Sequence, residues 1–442
     1  MQLHHARRLT PALGLIFTGV ALGQAGGAKP LAARPGSRLK QPAAATAQAP
    51  ALSLAALVRL ALARNPEIAA YAGRAAALRA RVRPSEALPD PTVSLGWMGK
   101  PLPFALEDNA ATSYRQITAT QRFPFPGKLK LQGQVAEHTS RAAGWDYQAA
   151  RRRVRADVKT AYYQYAYFYQ ALRIVENTRA LLQRLTQIAE TRYESGQGLQ
   201  EDVLKGQVEL SQLLERVTIL RQEQRTAAAR INTLLNRSPE TPLGAPAPPA
   251  MKTLPYTLHQ LYQLARAHDT GLEREQQLIA RDQSALALAH KSYDPDFSVS
   301  YMYQRSAAPM NMQGAFVTLN IPIFYRAKQR QEVLAASRML TSDRDFQSNR
   351  GTTVNYLVKQ QYLALRQAAQ LAVLYSQAIV PQSTQTLNAS ITAYESGKVD
   401  FLTMLDNFIN LLDFQVKYDR QKANYEIALA RLEPLVGVEL TR

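Results

Sequence analysis

The side chains best suited to bind a metal ion or to transfer a proton near neutral pH are histidines. The chain has six of them: His4, His5, His138, His259, His268 and His290. None stands at a metal-ligand spacing from carboxylates, and neither a paired catalytic motif nor a phosphate-binding loop occurs. His259 and His268 share one predicted helix, but such a spacing is more often incidental than a metal site. We therefore expect a protein that is not an enzyme and that binds no cofactor and no metal.

The formal net charge of +19 is the second feature with chemical meaning. Clustered Lys and Arg would neutralise the phosphates of a nucleic acid. The one dense cluster spans 151–155, and we expect it on a solvated face of a helix. Because the N-terminus predicts export from the cell, no nucleic-acid partner is expected. An anionic lipid or lipopolysaccharide surface is the alternative partner for this charge.

The N-terminus has the pattern of a secretory signal peptide over residues 1–23, with basic Arg7 and Arg8 before an apolar stretch. Gln24 follows, and the chain contains no cysteine, so neither a lipid anchor nor a disulfide is expected. Residues 24–50 are rich in Ala and Pro and predict a disordered tether. Beyond the signal no run of about 20 apolar residues occurs, so any membrane span must use strands.

The chain contains an internal repeat. The run Tyr193-Glu194-Ser195-Gly196 recurs as Tyr394-Glu395-Ser396-Gly397, and the residues that follow align without a gap. Such a repeat predicts two copies of one structural unit. The predicted organisation is a first repeat (51–236), an equatorial linker (237–256), a second repeat (257–436) and a C-terminal tail (437–442).

Each repeat predicts a long helix followed by a helix of about half its length. Between Gly127 and Tyr193 about 65 residues can form one helix of roughly 100 Å. Its counterpart, 326–394, contains Pro381, which should bend the helix without ending it. The following helices carry apolar residues at seven-residue spacing, which predicts a coiled-coil seam. Shorter helices are predicted over about 54–83 and 258–292.

Four strands are predicted between the short and long helices. Apolar and polar residues alternate around Val93–Trp97 and Gln116–Thr120, and again around Phe297–Tyr303 and Val317–Ile321. Four strands cannot close a barrel, and lipid tolerates no open sheet edge, so several copies must pool their strands. The predicted fold class is mainly α with membrane β, in an oligomer.

Two motifs carry a resemblance to a known family. They are Gln121-Arg122-Phe123-Pro124-Phe125-Pro126-Gly127-Lys128, and Val380-Pro381-Gln382 followed by the run from Tyr394 to Leu402. From Leu54 to Val436 the chain resembles TolC-like outer-membrane efflux proteins, in particular their heavy-metal efflux branch, which includes CusC-like and CzcC-like proteins.

The resemblance implies a homotrimer in the outer membrane, with a shared twelve-stranded barrel and a periplasmic coiled-coil tunnel. Helix pairs close the tunnel at its inner end. The family docks onto a periplasmic adaptor protein, which links it to an inner-membrane pump of RND or ABC type. The expected function is a passive conduit that exports small molecules or metal ions.

The resemblance also implies site residues at the inner aperture. Asp406 occupies one place of an aspartate ring, whereas Thr403 departs from the acidic pattern at the other. A gate link in some relatives matches Asp202 and Tyr394, but Val399 stands in place of its basic residue. Lys398 is the candidate substitute for that base.

The two turns are the expected adaptor contacts. The residues are Tyr193, Gly196, Gly198 and Leu199 in the first turn, and Gly397, Val399 and Asp400 in the second. Each has a structural alternative: the glycines as left-handed helix ends and the tyrosines as packing. Asp202 suits a helix N-terminus, where a carboxylate meets the positive end of the dipole. A solvated face is the alternative for Asp406.

Two other functions compete with efflux. A type I protein secretion conduit would use the same tunnel. A soluble periplasmic coiled-coil adaptor would share the heptads and the signal peptide but would lack the strand hairpins.

Overall fold

The computed structural model describes residues 52–99, 113–251, 253–306 and 310–440. The predicted signal peptide and tether lie outside these residues. In chain order the elements are α1 (Leu54–Arg64), α2 (Pro66–Ala80), α3 (Val82–Glu86), β1 (Thr92–Met98), β2 (Tyr114–Phe123), α4 (Lys128–Glu194), α5 (Gln200–Leu234), α6 (Leu258–His268), α7 (Thr270–Lys291), β3 (Asp296–Ser306), β4 (Met312–Asn320), α8 (Gln329–Leu374), a π-helical turn (Tyr375–Ile379), α9 (Val380–Glu395) and α10 (Phe401–Val436). Of the helices described, none combines the length and the apolar content needed to cross a membrane.

The first short helical segment is divided, where one helix over about 54–83 was predicted. Asn65 is extended, and its side chain caps α2 by accepting a hydrogen bond from the backbone N–H of Glu67 at 2.9 Å. Pro66 then occupies the first turn of α2. A residue that precedes proline is pushed out of the helical region, so the Asn-Pro step ends α1 and starts α2.

The second short segment is divided in the same way by Asp269. Its backbone is extended, and its side chain accepts a hydrogen bond from the N–H of Leu272 at 2.9 Å, which caps α7. Arg350 of α8 also donates two hydrogen bonds to this buried carboxylate, at 3.0 and 2.8 Å. The break in the short segment is therefore tied to the long helix beside it.

The two long helical segments differ in continuity. Helix α4 runs for 67 residues without interruption, which confirms the predicted long helix. The counterpart consists of α8, the π-helical turn and α9, and Pro381 lies in the first turn of α9. Proline has no N–H and crowds the carbonyl four residues earlier. The π-helical turn widens the backbone at this point, so the segment continues past Pro381 as predicted.

The four strands form one antiparallel sheet in the order β1-β2-β3-β4. Thr92 pairs with Thr120, Phe123 with Phe297, and Asp296 with Asn320. These pairs lie at the same end of the sheet, where the strands meet the helices, and we call this end the foot. Within the sheet β1 and β4 each have a neighbour on one side only.

The predicted heptad seams form the core of the helical region. The apolar positions Val203, Leu213, Val217 and Leu220 of α5 are buried, as are Met404 and Leu405 of α10. They belong to one cluster with residues of α4 and α9, including Leu182 and Leu387. Four helices thus pack around a common apolar core near the two turns, and burial of this surface is the main stabilising contribution there.

The arginine cluster at 151–155 is not a solvated helix face, contrary to the prediction. Each of its arginines contacts a different partner. Arg151 stacks over Tyr147, Arg152 donates to the carbonyl oxygen of His268, Arg153 pairs with Glu67, and Arg155 pairs with Glu439. The cluster ties the middle of α4 to α2, to the end of α6 and to the C-terminal segment.

Candidate functional site

The two turns that join α4 to α5 and α9 to α10 have the same backbone. Gly196 and Gly397 both have a φ of 72°, in the left-handed region that favours glycine. In the first turn the N–H of Gly196 donates to Tyr193 at 2.9 Å, and that of Gln197 to Arg192 at 2.8 Å. The second turn repeats this pattern of paired hydrogen bonds, which is a Schellman motif. Both glycines therefore end helices.

The two tyrosines that precede these glycines lie in different surroundings. Tyr193 is 45% exposed, whereas Tyr394 is 7% exposed. The Tyr394 ring makes an edge contact with the buried Phe401 ring, with centroids 5.6 Å apart. In the first turn Leu199 is exposed. The first turn thus presents apolar side chains outward, and the second turn packs its aromatic side chains inward.

Arg192 joins the two turns. Its Nη1 donates a hydrogen bond to the carbonyl oxygen of Tyr394 at 2.7 Å, and its guanidinium lies 4.8 Å from the centre of the Tyr394 ring. A hydrogen bond from a charged donor is stronger than a neutral one, and the cation over the ring adds to it. The last turn of α4 is thereby fastened to the last turn of α9.

Asp202 completes this arrangement electrostatically. Partial burial raises the pKa of Asp202; the backbone of Leu199 and the charge of Arg192 lower it, while the Asp400 and Glu201 carboxylates raise it. Burial also raises the pKa of Tyr394, with Arg192 opposing and Asp202 adding to the increase. The structure therefore brings Asp202, Tyr394 and Arg192 together. We call these three residues the latch.

The structure does not bring Lys398 into the latch. The Lys398 side chain is exposed, and no ion pair or side-chain hydrogen bond of it occurs within the described residues. Val399 is half-buried beside it. The base that contacts Tyr394 comes instead from the first hairpin, in Arg192.

Asp400 and Thr403 form a helix cap. The Asp400 carboxylate accepts a hydrogen bond from the backbone N–H of Thr403 at 2.7 Å and so caps α10. Hydrogen bonds from the Thr403 side chain and backbone lower the pKa of Asp400. Thr403, which departs from the acidic pattern, therefore lies in the capped first turn of α10.

Asp406 lies on the exposed face of α10, one turn beyond Thr403. Its charge reaches Glu209 of α5. Burial raises the pKa of Glu209, the carboxylates of Asp413 and Asp406 add to this, and Arg216 opposes it. Arg216 itself pairs with Asp413 at 2.6 Å. Asp406 thus belongs to an acidic strip between α5 and α10 in which one arginine offsets only part of the charge.

Gly198 allows the first turn to close tightly. A Cβ added there would lie 3.1 Å from both the Cβ of Arg192 and the backbone nitrogen of Tyr193. The turn therefore holds Arg192 close to the following helix. Elsewhere in the described part of the chain, no three His, Asp or Glu side chains converge as a metal site.

The sequence offered little to identify Arg192. The alignment of the repeats places Ala393 at the equivalent position, so the base is absent from the second copy. Its contact with Tyr394 joins residues about 200 positions apart. A basic residue in the last turn of a helix is usually explained by the helix dipole, and only the three-dimensional contact sets Arg192 apart.

Comparison with known proteins agrees with this architecture. Residues 57–237 match the family described as outer membrane efflux protein. The cobalt-zinc-cadmium resistance protein CzcC of Cupriavidus metallidurans is 25% identical over 382 residues, which cover 83% of this chain and 85% of that protein. Over residues 57–237 the chain is therefore similar to the outer membrane efflux protein family.

Solved structures of outer-membrane proteins show the same fold as this chain. The outer membrane protein VceC of Vibrio cholerae matches with a TM-score of 0.74 at 14% identity, over 88% of this chain and 97% of that one. CusC, described in terms of transmembrane channel formation, matches with a TM-score of 0.72 at 16% identity, over 87% and 91%. The predicted fold class is confirmed, because these structures share the helical and strand architecture of the chain.

Proposed function

We propose that this protein works as a homotrimeric passive conduit for metal cations, with a gate formed by the latch and the acidic strip. The observation that carries the proposal is the combination of two features. First, the edge strands β1 and β4 each have a neighbouring strand on one side only. Second, apolar side chains of the sheet are exposed. Three copies that join β4 to β1 would close these edges in lipid.

The exposed strand residues support a lipid-facing surface. Val93, Leu95, Val299, Val317 and Leu319 are all exposed. In β3 and β4 the exposed Val299 pairs with Val317, so the two side chains share one face of the sheet. A large exposed apolar face marks a membrane or protein contact. The sheet is also the feature that a coiled-coil adaptor was expected to lack.

The gate proposal assigns two roles at the far end of the helices. The latch holds the first hairpin, formed by the end of α4 with α5, against the second hairpin, formed by α9 with α10. Asp406, repeated in three subunits, would place negative charge at the aperture and favour cations there. The exposed carboxylate and the neighbouring Glu209 support this assignment.

The docking proposal assigns the first turn to a periplasmic adaptor. Tyr193 and Leu199 are exposed apolar side chains at this turn, and such residues are common anchors of protein interfaces. In the second turn, Gly397, Val399 and Asp400 follow the buried Tyr394, and we assign them to the same adaptor contact. The adaptor in turn would connect the conduit to an inner-membrane pump of RND or ABC type.

The cargo proposal rests on the similarity to CzcC, whose name states cobalt, zinc and cadmium resistance. The acidic strip near Asp406 agrees with a divalent cation as cargo. The tunnel would supply a path and no chemistry, because the driving force would come from the pump.

The first test is a planar-bilayer recording of the purified protein, with its oligomeric mass measured in detergent. A trimer from the outer-membrane fraction with a small conductance would support the proposal. A monomer in the soluble periplasmic fraction without conductance would refute it.

The cation gate is tested by block with Zn²⁺ or Co²⁺ added from the side of the turns. Asp406→Asn should weaken this block by about tenfold, since it removes three charges from the trimer. The matched control is Asp345→Asn, an exposed carboxylate on α8 remote from the turns. If both variants are blocked like the unmodified channel, Asp406 does not line the aperture.

A further inference from the structure

The net charge of +19 requires an explanation beyond the arginine cluster of α4, whose members all have intramolecular partners. A second concentration of cations follows β4 at the foot of the sheet. Arg326, Lys328 and Arg330 are exposed, and no ion pair involves them among the described residues. We call residues 321–330 the basic exit.

The basic exit shows a graded order of side chains along the chain. Ile321 and Ile323 continue the alternation of Val317 and Leu319 beyond the end of the strand, and all four are exposed. Next come two aromatic residues and then the three cations. In a protein that crosses a bilayer through strands, this order matches hydrocarbon, interface and headgroup region in turn.

The aromatic residues of the basic exit are as exposed as its cations. Phe324 is 76% exposed, and Tyr325 is also exposed. The Arg326 guanidinium lies 6.0 Å from the centre of the Tyr325 ring, so the cation and the ring share one surface. Aromatic residues at a membrane interface place an apolar ring beside the headgroups.

The equivalent exit after β2 is built differently. Phe123 stacks on Phe297 with ring centroids 5.2 Å apart, and Lys291 lies 4.9 Å from the centre of the Phe125 ring. Lys128 pairs with Asp296 at 2.7 Å. Phe123, Phe125 and Lys128 of the first exit therefore contact other residues of the same subunit, and Lys130 is exposed; in the basic exit all three cations are exposed.

A neighbouring subunit does not change the net charge at the basic exit. If β4 of one subunit joins β1 of the next, the residues before that β1 approach the basic exit. They include Arg81 and Arg83 and also Glu86 and Asp90; all four are exposed, and none forms an ion pair within the described residues. Within the same chain, the nearest acidic residue in sequence is Glu332, in the first turn of α8, and it forms no ion pair with the three cations. The two cations and two carboxylates of the neighbour offset each other, so the three cations of the basic exit remain in excess.

We propose that the basic exit binds the phosphate headgroups of anionic phospholipids in the membrane leaflet that faces the helices. The inference rests on the proposed function in one respect, namely that the sheet lies in the outer membrane. Juxtamembrane Lys and Arg gain attraction from anionic lipid, and their apolar stems can lie along the acyl region while the charges reach the headgroups. Lipopolysaccharide does not fit this site, because it would meet the opposite end of the strands.

The test is native mass spectrometry of the full-length trimer in neutral detergent, titrated with dioleoylphosphatidylglycerol or with dioleoylphosphatidylcholine. The unmodified protein should bind phosphatidylglycerol more tightly than phosphatidylcholine. The triple variant Arg326→Gln, Lys328→Gln, Arg330→Gln should weaken phosphatidylglycerol binding by at least about tenfold and abolish the preference. The charge-retaining variant Arg326→Lys, Arg330→Lys should keep it.

The matched control removes the same charge elsewhere. Arg225→Gln, Arg237→Gln and Arg266→Gln together alter three exposed cations that form no ion pair and lie remote from the sheet. This variant should retain the lipid preference. Equal binding of both lipids by the unmodified trimer, a triple variant that keeps the preference, or tighter binding of lipopolysaccharide in competition would each overturn the proposal.

The lipid proposal and the proposed function fail in different ways. A heat-modifiable trimer in the outer-membrane fraction without a lipid preference refutes the lipid proposal alone. A chain found in the soluble periplasmic fraction refutes the proposed function. Trimer mobility on unheated gels checks that each variant has folded before its lipid binding is measured.

Discussion

The first hairpin (α4 with α5) and the second hairpin (α9 with α10) share a backbone and differ in side chains. Both end their first helix at a glycine with a φ of 72°. The first hairpin continues an unbroken helix of 67 residues and leaves Leu199 exposed. The second follows a π-helical turn with Pro381 and buries Tyr394. We call the first hairpin the post, because its helix is unbroken and its turn carries an exposed apolar side chain. We call the second hairpin the arm, because it follows a break in the helix and is held by the contact of Tyr394 with Arg192.

This difference indicates that the two hairpins have different roles, although they share one fold. A stiff post with exposed apolar residues suits a docking surface, because little conformational entropy is lost when it binds. A hinged arm suits a gate, because helices bend at prolines and π-helical turns. Arg192 connects the two, since it belongs to the post and binds the arm.

The largest expected effect tests the rigidity of the post. A Cβ at Gly206 would lie 2.6 Å from Thr186 Oγ1, so Gly206→Ala should force α4 and α5 apart. We expect a loss of about 2 kcal/mol in the free energy of unfolding, typical of overpacking. Thermal unfolding followed by circular dichroism measures it.

One control variant sharpens this test. Gly144→Ala adds a methyl group where no atom lies within 4 Å, and should stabilise α4 by about 0.5–1 kcal/mol. In the second hairpin the equivalent of Gly206 is Asn407, which donates to Ser390 at 2.8 Å. If Gly206→Ala is as stable as Gly144→Ala, the post is not tightly packed.

The next effect tests the contact between post and arm. Arg192→Ala removes both the hydrogen bond to Tyr394 and the cation over its ring. We expect the ratio of open to closed channels to rise about tenfold, which corresponds to about 1.4 kcal/mol. Single-channel recordings measure the open probability directly.

Lys398→Ala is the matched control for Arg192→Ala, because Lys398 is a nearby exposed cation outside the latch. It should leave the open probability unchanged. An effect of Lys398→Ala equal to that of Arg192→Ala would return the role of the base to Lys398 and remove the distinction between the hairpins.

The third effect tests the hinge. Pro381→Ala restores a backbone N–H and relieves the crowding that the π-helical turn accommodates, so α8 and α9 should form one regular helix. We expect a gain of about 1 kcal/mol in stability and a lower open probability. Pro434→Ala is the control, since Pro434 lies inside the otherwise regular α10. A gain in stability without any change in gating would show that the turn is not a hinge.

The smallest effect concerns pH. The pKa of Asp202 is raised in the closed arrangement above its ordinary value of about 3.9, so the closed state binds the proton more tightly. Protonation of Asp202 therefore favours the closed state. This contribution is fully present when the pH is below the ordinary pKa, and it is lost as the pH rises through the raised pKa. Open probability should therefore increase modestly with pH in the acidic range, and Asp202→Asn should flatten this dependence. A profile that Asp202→Asn leaves unchanged would assign the titration to another group.

The sequence predicted the repeating part of the structure better than its exceptions. Periodic apolar residues at Val203 and Met404 indicated the seams, and alternation around Val299 indicated the strands. The break at Asn65 carried a signal in the following proline, whereas Asp269 acts through a contact with Arg350 from a distant helix. Local sequence patterns predict where helices and strands form, but they do not show where a helix ends because of a contact with another helix.

The candidate site was less predictable for the same reason. Asp202 and Tyr394 were identified only through family resemblance, and the contact of Tyr394 with Arg192 joins two turns far apart in sequence. The arginines at 151–155 appeared solvated because partners such as Glu67 and Glu439 lie far from them in sequence. The charge pattern of the sequence shows where the cations lie along the chain, but it does not show which groups they contact in the fold.

The open edges of the sheet also bear on how the channel is made. A newly exported subunit carries β1 and β4 as unpaired templates, beside strand faces that water solvates poorly. Such edges recruit other strands, whether or not they are the correct ones. In the proposed trimer, pairing of β4 with β1 of a sister chain would compete with aggregation through the same edges. Because that trimer needs three chains, the yield of finished channels should depend on subunit concentration.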